Sequence, residues 1–296
     1  MSKIQPQQAK APPPDPSNLQ RLPVSYQEIN DYYQPFPESR PFDLRKETFL
    51  RIEAITGRPL ICYVAKTANV APNLPTAIDD SDLIGFTDLV HSVAGNDVDV
   101  LIESNGGSAE AAERIVRLLR ERFESLRFII PGNAYSAATL ICFSADKLIM
   151  SSTGTLGPID PQINGIPARA IRRAFETLEE RLAKEGPKAL TAYVPLISKY
   201  DLHLLEMCKS AEALSQELAE TWLSEYMLKC QRDDARVRNI VDHFSDYDVH
   251  KSHGRSIGRN QARALELEIE QTEATAGLDD LIRSLHNQYG FWFDRT

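Results

Sequence analysis

The chain has 296 residues, 42% of them hydrophobic, with 33 Lys plus Arg against 42 Asp plus Glu. That length and apolar content suffice for one large α/β domain with appendages. The formal charge of -9 excludes a general polyanion binder, because phosphate contacts need clustered Lys and Arg, so nucleic acid is not an expected partner.

The cysteines, Cys62, Cys142, Cys208 and Cys230, show no metal-type pairing, and a reducing compartment is expected. No run approaches the roughly 20 apolar residues that a bilayer requires, and the N-terminal residues lack the basic and then apolar order of a signal peptide. The expectation is a cytoplasmic protein without a membrane span.

Residues 1–40 are rich in Pro and Gln, with little periodic apolar content, and predict a disordered arm. Tyr32, Tyr33 and Phe36 are its candidate docking anchors; plain disorder is the simpler reading. From Phe42 to Thr56 the positions Leu44, Phe49, Ile52 and Ile55 recur at helical spacing, and Gly57 stands where a C-terminal cap belongs. A strand is expected over Pro59–Ala65. Leu83, Ile84, Phe86, Leu89 and Val90 then mark a second amphipathic helix. Asp79 and Asp80 at its start suit the helix dipole better than they suit catalysis.

The central stretch, Asp97 to Gln162, repeats one plan. The apolar run Val98–Ile102 ends in a turn containing Gly106 and Gly107, and an amphipathic helix over Ala109–Phe123 follows at once. Its Ile115, Leu118 and Leu119 share one face, while Arg114, Arg117, Arg120 and Arg122 predict a solvated face paired with Glu110, Glu113 and Glu121. A second apolar run, Leu126–Ile130, ends at Pro131-Gly132, and the next helix opens with Ser136 among small residues. Lys147–Met150 reads as a short strand, and LGPIDPQI as a rigid loop.

Parallel strands whose C-terminal turns feed helices collect reactive groups outside the strand ends. Glycine at 106 and 107 lets main-chain amides approach a developing oxyanion, and Ser136 is a candidate nucleophile. The plainer alternatives are an ordinary glycine turn and a serine that merely caps its helix. Beyond the loop, residues 167–229 read as helical almost throughout, with breaks near Gly186-Pro187 and Pro195, and Pro167 suits a first helical turn. The tail carries His243, His250 and His253 and helical segments near 261–265 and 278–289. Without Cys or a fixed helical spacing, the histidines do not make a zinc motif.

Taken in order, ESNGGSAEAAERIV, SAATLICFSADKLIMS and LGPIDPQ resemble the serine dehydrogenase proteinase family, a group within the superfamily of Clp proteases, signal peptide peptidase A and crotonases. The likeness extends to SKYDLHLLEMCKSAEALSQELAETWL and SHGRSI, and covers roughly residues 45 to 270. It implies an α/β fold with a ClpP/crotonase-like repeated β-β-α core over 41–166 and a helical C-terminal extension over 167–296. It also implies a serine peptidase that acts on peptides or proteins, needs no cofactor and assembles as a homo-oligomer. Ser136 would be the nucleophile. The amides of Gly107 and Ala137, with Gly106 shaping the turn, would form the oxyanion hole.

The base is left open. A Clp-type histidine would fall near LGPIDPQ, yet no histidine occurs between His91 and His203. Resemblance to signal peptide peptidases points to a lysine, Lys199 or Lys188; His253 in SHGR is the remaining candidate. Asp160 stands where the missing histidine would be, and is expected to orient a base, bind substrate or cap the turn before Pro161. Asn105 replaces the proline of the family's turn, and Tyr135 precedes the serine where the family pattern has lysine. A catalytically weak or inactive scaffold that binds a partner is the alternative function. An acyl-CoA enzyme of crotonase type is a further rival, against which stands the lack of a basic CoA pocket. Despite the family's name, dehydrogenase chemistry has no support, since neither a pyridoxal-phosphate lysine motif nor GxGxxG is present.

Overall fold

The computed structural model describes residues 15–35, 42–71, 73–186, 190–198, 200, 203–230 and 233–295. Its contacts divide the chain into two compact units, one from residues up to Leu60 together with those from Gln271 onward, the other Ile61–Glu270.

In the first unit, helix α1 spans Tyr26–Tyr33 and α2 spans Phe42–Thr56. A capping box starts α1: Ser25 Oγ accepts from Glu28 N–H, and the Glu28 carboxylate accepts from Ser25 N–H at 2.8 Å. Backbone bonds and Arg21 hold that carboxyl down to about 2. Leu22, Ile29 and Tyr33 are buried with Leu44 of α2 and Phe291 of the C-terminal helix. The disordered arm expected over residues 1–40 is therefore corrected over 15–35. Its few apolar side chains gain a partner from the other end of the sequence, which local composition does not reveal; Phe36 lies outside the described residues.

The second unit is built on a sheet. Strand β1 is Leu60–Val64, and helix α3 is Asp82–Ser92. Then come β2, Asp97–Glu103, and α4, Ala109–Arg122; next are β3, Ser125–Ile130, β4, Asn133–Ala134, and α5, Ala137–Phe143. The strand–turn–helix plan is thus present twice. Strands β2 and β3 run parallel, with Val98 opposite Leu126 and Asp99 opposite Arg127. That last pair is a bidentate ion pair, both contacts 2.7 Å, which keeps the fully buried Asp99 carboxylate from going unpaired.

Strand β5, Lys147–Met150, pairs with β3 in parallel, and β6 is Thr155–Leu156. The short hairpin of β7, Gln162–Ile163, and β8, Ile166–Pro167, leads into α6, Ala168–Glu185. Helix α7, Leu190–Ile197, precedes α8, His203–Trp222, which ends in a wide turn over Leu223–Met227. Helices α9, Asp234–Ser245, and α10, Tyr247–His250, precede β9, Ile257–Gly258, and α11, Arg259–Ala264. Strand β10, Ile269–Gln271, and helix α12, Leu278–Phe293, complete the order.

The main sheet runs β1-β2-β3-β5-β10, while β4, β6 and β9 make a separate small sheet. Every residue of α5 is buried, which makes it the central helix of the unit. Phe143 on it meets Phe244 of α9 edge to face at 5.1 Å. On α4, Arg114 and Arg117 are exposed as expected, but Arg120 and Arg122 are partly buried, and the partners differ from those expected. Arg114 pairs with Asp80, Arg120 pairs with Asp146 while lying over the Tyr226 ring, and Arg122 donates to the carbonyls of Val93 and Gly95. Neighbouring elements offered them more fixed partners than Glu110, Glu113 and Glu121 on their own helix. No described helix is long and apolar enough to cross a membrane.

Candidate active site

The site begins where β2 leaves the sheet. Gly106 N–H donates to Ser104 Oγ, and Gly106 O accepts from Ile78 N–H at 2.9 Å, so the turn is pinned on both sides. Gly106 has φ +98°, and a Cβ built there would lie 2.6 Å from Tyr135 O and 2.7 Å from Ser136 Cβ. At Gly107 an added Cβ would stand 2.2 Å from Ile78 O. Glycine is required at both positions because backbone passes against backbone. Asn105, in place of the family's proline, ties the turn outward by donating to Thr67 O at 3.0 Å.

The second turn runs from β4 into α5. Ser136 sits at its apex with φ 52° and ψ -120°, a conformation that costs a residue with a Cβ on the order of 1–3 kcal/mol. Its hydroxyl makes no capping hydrogen bond. The plain N-cap reading is therefore not what the geometry shows: Ser136 stands on a strained strand-to-helix turn and lines a cavity. Among the described residues, neither Gly107 N–H nor Ala137 N–H has a hydrogen-bond partner. Tyr135, where the family pattern has lysine, is a structural prop. Its ring lies on Gly157, where an added Cβ would meet it at 2.8 Å, and its hydroxyl is 3.2 Å from Thr155 Oγ1.

Asp160 follows β6 and is 2% exposed. The loop is fixed by Ile159, whose N–H donates to Phe244 O at 2.9 Å and whose carbonyl accepts from Ser215 Oγ at 2.7 Å. Asp160 Oδ1 is 2.9 Å from His253 Nδ1, across 93 residues of sequence. The carboxylate therefore meets a histidine rather than capping the turn before Pro161. With Nδ1 donating to a carboxylate, the imidazole keeps Nε2 free as an acceptor. His253 and Ser136 line one cavity of about 480 Å³, together with Gly106, Gly107, Ala137 and the apolar side chains of Leu140, Ile159 and Leu214. Ser136 Oγ makes no hydrogen bond to a described side chain.

The structure thus brings together Ser136, Gly106, Gly107, Ala137, His253 and, behind the histidine, Asp160. Lys188 and Lys199 lie outside the described residues. His243 and His250 pack on each other, with ring centroids 5.0 Å apart and His250 Nε2 2.6 Å from His243 O; neither lines the cavity. Burial and the neighbouring His250 lower the His243 pKa. The described residues contain no group of three or more potential metal ligands.

Residues 76–192 match the family described as ClpP-like SDH-type serine proteinase, a segment that holds the glycine turn, Ser136 and Asp160 but ends before His253. The uncharacterized protein MJ1495 of Methanocaldococcus jannaschii is 30% identical over 138 residues, covering 44% of this chain and 47% of that protein. The uncharacterized protein MJ0137 of the same organism is 40% identical over 79 residues, covering 27% of this chain and 28% of that protein. The chain thus spans about half or less of the length of these curated relatives. Among solved structures, ClpP1 from Listeria monocytogenes covers 75% of this chain and 96% of its own, with 12% identity and a TM-score of 0.41. The ClpP protease catalytic domain from Plasmodium falciparum covers 76% and 89%, with 13% identity and a TM-score of 0.41. Over residues 76–192, the chain is similar to the family of ClpP-like SDH-type serine proteinases.

Proposed function

We propose that the protein hydrolyses peptide bonds through an acyl-enzyme on Ser136, with His253 as general base and Asp160 orienting it. The observation that carries this reading is the 2.9 Å contact of His253 Nδ1 with the buried Asp160 Oδ1, on a histidine that lines the same cavity as Ser136. Ser136 Oγ attacks the scissile carbonyl carbon and its proton passes to His253 Nε2. The negative oxygen of the tetrahedral intermediate accepts from the N–H groups of Gly107 and Ala137. On collapse, His253 gives the proton to the departing amine nitrogen, and water then attacks the acyl ester by the same route in reverse. Asp160 supports the imidazolium formed in each half and keeps Nδ1 as the protonated nitrogen. The order along the chain, serine, aspartate, histidine, is one of several in which this set of groups can be assembled, since geometry and not sequence order defines it.

Incubation with a fluorophosphonate probe and mapping of the adduct by mass spectrometry tests the reading. Labelling confined to Ser136, absent in Ser136→Ala, is the expected result. A folded protein that takes no label supports instead the non-catalytic scaffold, a reading favoured by Tyr135 before the serine and by the missing hydrogen bond between Ser136 Oγ and a described side chain.

A further inference from the structure

Thr139 lies three positions after Ser136 on α5 and is fully buried. Its hydroxyl has neighbours on two different elements. Thr139 Oγ1 is 2.6 Å from Ala134 O, in the strand that enters the nucleophile turn, and accepts from Gly157 N–H at 3.0 Å. Gly157 O also stands at 3.0 Å, but the nearer Ala134 O takes the single proton. From Gly157 the chain passes through Pro158 and Ile159 directly to Asp160. Gly157 is also the residue on which the Tyr135 ring rests. The threonine therefore joins the helix that holds the nucleophile to the loop that holds the carboxylate, from beneath both.

We propose that Thr139 is a positioning residue, whose hydroxyl sets the distance between the Ser136 turn and the Asp160–His253 pair. The proposal rests on the catalytic reading above for its effect on rate. It concerns a side chain that touches neither substrate nor reacting atoms. The three groups come from separate elements, and only Asp160 and His253 are bonded to each other directly. Their common frame is the bond set around Gly157 and Ile159, in which Thr139 is the sole side chain contributed by α5 among the described residues. A valine keeps the shape of threonine but can neither donate to Ala134 O nor accept from Gly157 N–H. Both main-chain groups then compete for new partners and the loop shifts.

The test compares wild type, Thr139→Val and Thr139→Ser by two measurements, made below the unfolding midpoint of each variant. The first is the rate of fluorophosphonate labelling at Ser136 per folded molecule. The valine variant is expected to label about a hundredfold more slowly, the scale of a misplacement near one ångström, while serine stays within about threefold of wild type. The second is the low-field proton NMR signal of His253 Nδ1–H, assigned by its loss in His253→Ala. It is expected in wild type and Thr139→Ser and shifted or lost in Thr139→Val. Equal labelling rates and an unmoved signal in the valine variant would leave Thr139 a packing residue and overturn the proposal. So would a serine variant that loses the signal or the rate, which keeps the test decisive should the valine variant not fold. If wild type takes no label yet the His253 signal depends on the Thr139 hydroxyl, the peptidase reading fails while the positioning role stands.

Discussion

At the residue scale, Asp160 and His253 carry the account. Sequence spacing had placed an acid where a Clp-type histidine would fall, and Asp160 was legible as an odd substitution. His253 was legible only as one of three candidate bases, and its pairing with Asp160 was not legible at all, because 93 residues separate the two and no local pattern links them. Asp160→Asn keeps the size of the side chain but presents an amide to Nδ1, which reverses the tautomer and leaves Nε2 protonated. A fall in peptide turnover of about 10⁴-fold is expected, with KM little changed. A loss smaller than tenfold in steady-state assays would remove Asp160 from the mechanism. Ser136 itself was readable as a small-residue turn before a helix. Its positive φ was not, since no single residue type dictates a strained backbone.

The elements show why the two turns were easier to find than the base. Each follows an apolar strand run and precedes an amphipathic or apolar helix, so local periodicity delivers both to the same edge of the sheet. Gly106 is there because the two turns touch, and Gly107 because the Ile78 backbone passes against it. Gly107→Ala drives a methyl group into Ile78 O and displaces the N–H proposed as one oxyanion donor. Labelling of Ser136 should fall by about 10²–10³-fold, the usual loss for one such donor, while circular dichroism keeps its helical signal. A variant that labels at the wild-type rate would show that the Gly107 amide takes no part. Helices α9 and α10 give a further, pH-dependent outcome. The folded protein disfavours charged His243, so the unfolded chain binds the proton more readily. Stability is full above the unfolded value of 6.5 and declines as pH falls through it toward the lower folded value. Calorimetry should show the unfolding midpoint dropping over that window, and dropping less in His243→Asn; equal slopes would assign the acid sensitivity elsewhere.

For the whole molecule, the sequence foretold the α/β unit far better than the helical one. The sheet and its crossover helices are local strand and helix patterns repeated, whereas the packing of Tyr33 on Phe291 joins opposite ends of the chain. Tyr33 is 1% exposed, and replacing it by Ala should cost about 3–5 kcal/mol in urea unfolding; a disordered arm would feel no such change. The homo-oligomer implied by the resemblance stands as a proposal, with light scattering expected to give a multiple of 33.2 kDa. The decisive question is which group activates the serine, and it is answered by the fluorophosphonate labelling rate at Ser136 in His253→Ala, Lys188→Ala and Lys199→Ala. A loss of at least about 10³-fold in the histidine variant, with both lysine variants close to wild type, is the outcome predicted here. Full labelling in His253→Ala together with its loss in one lysine variant would contradict the Ser136–His253–Asp160 assignment.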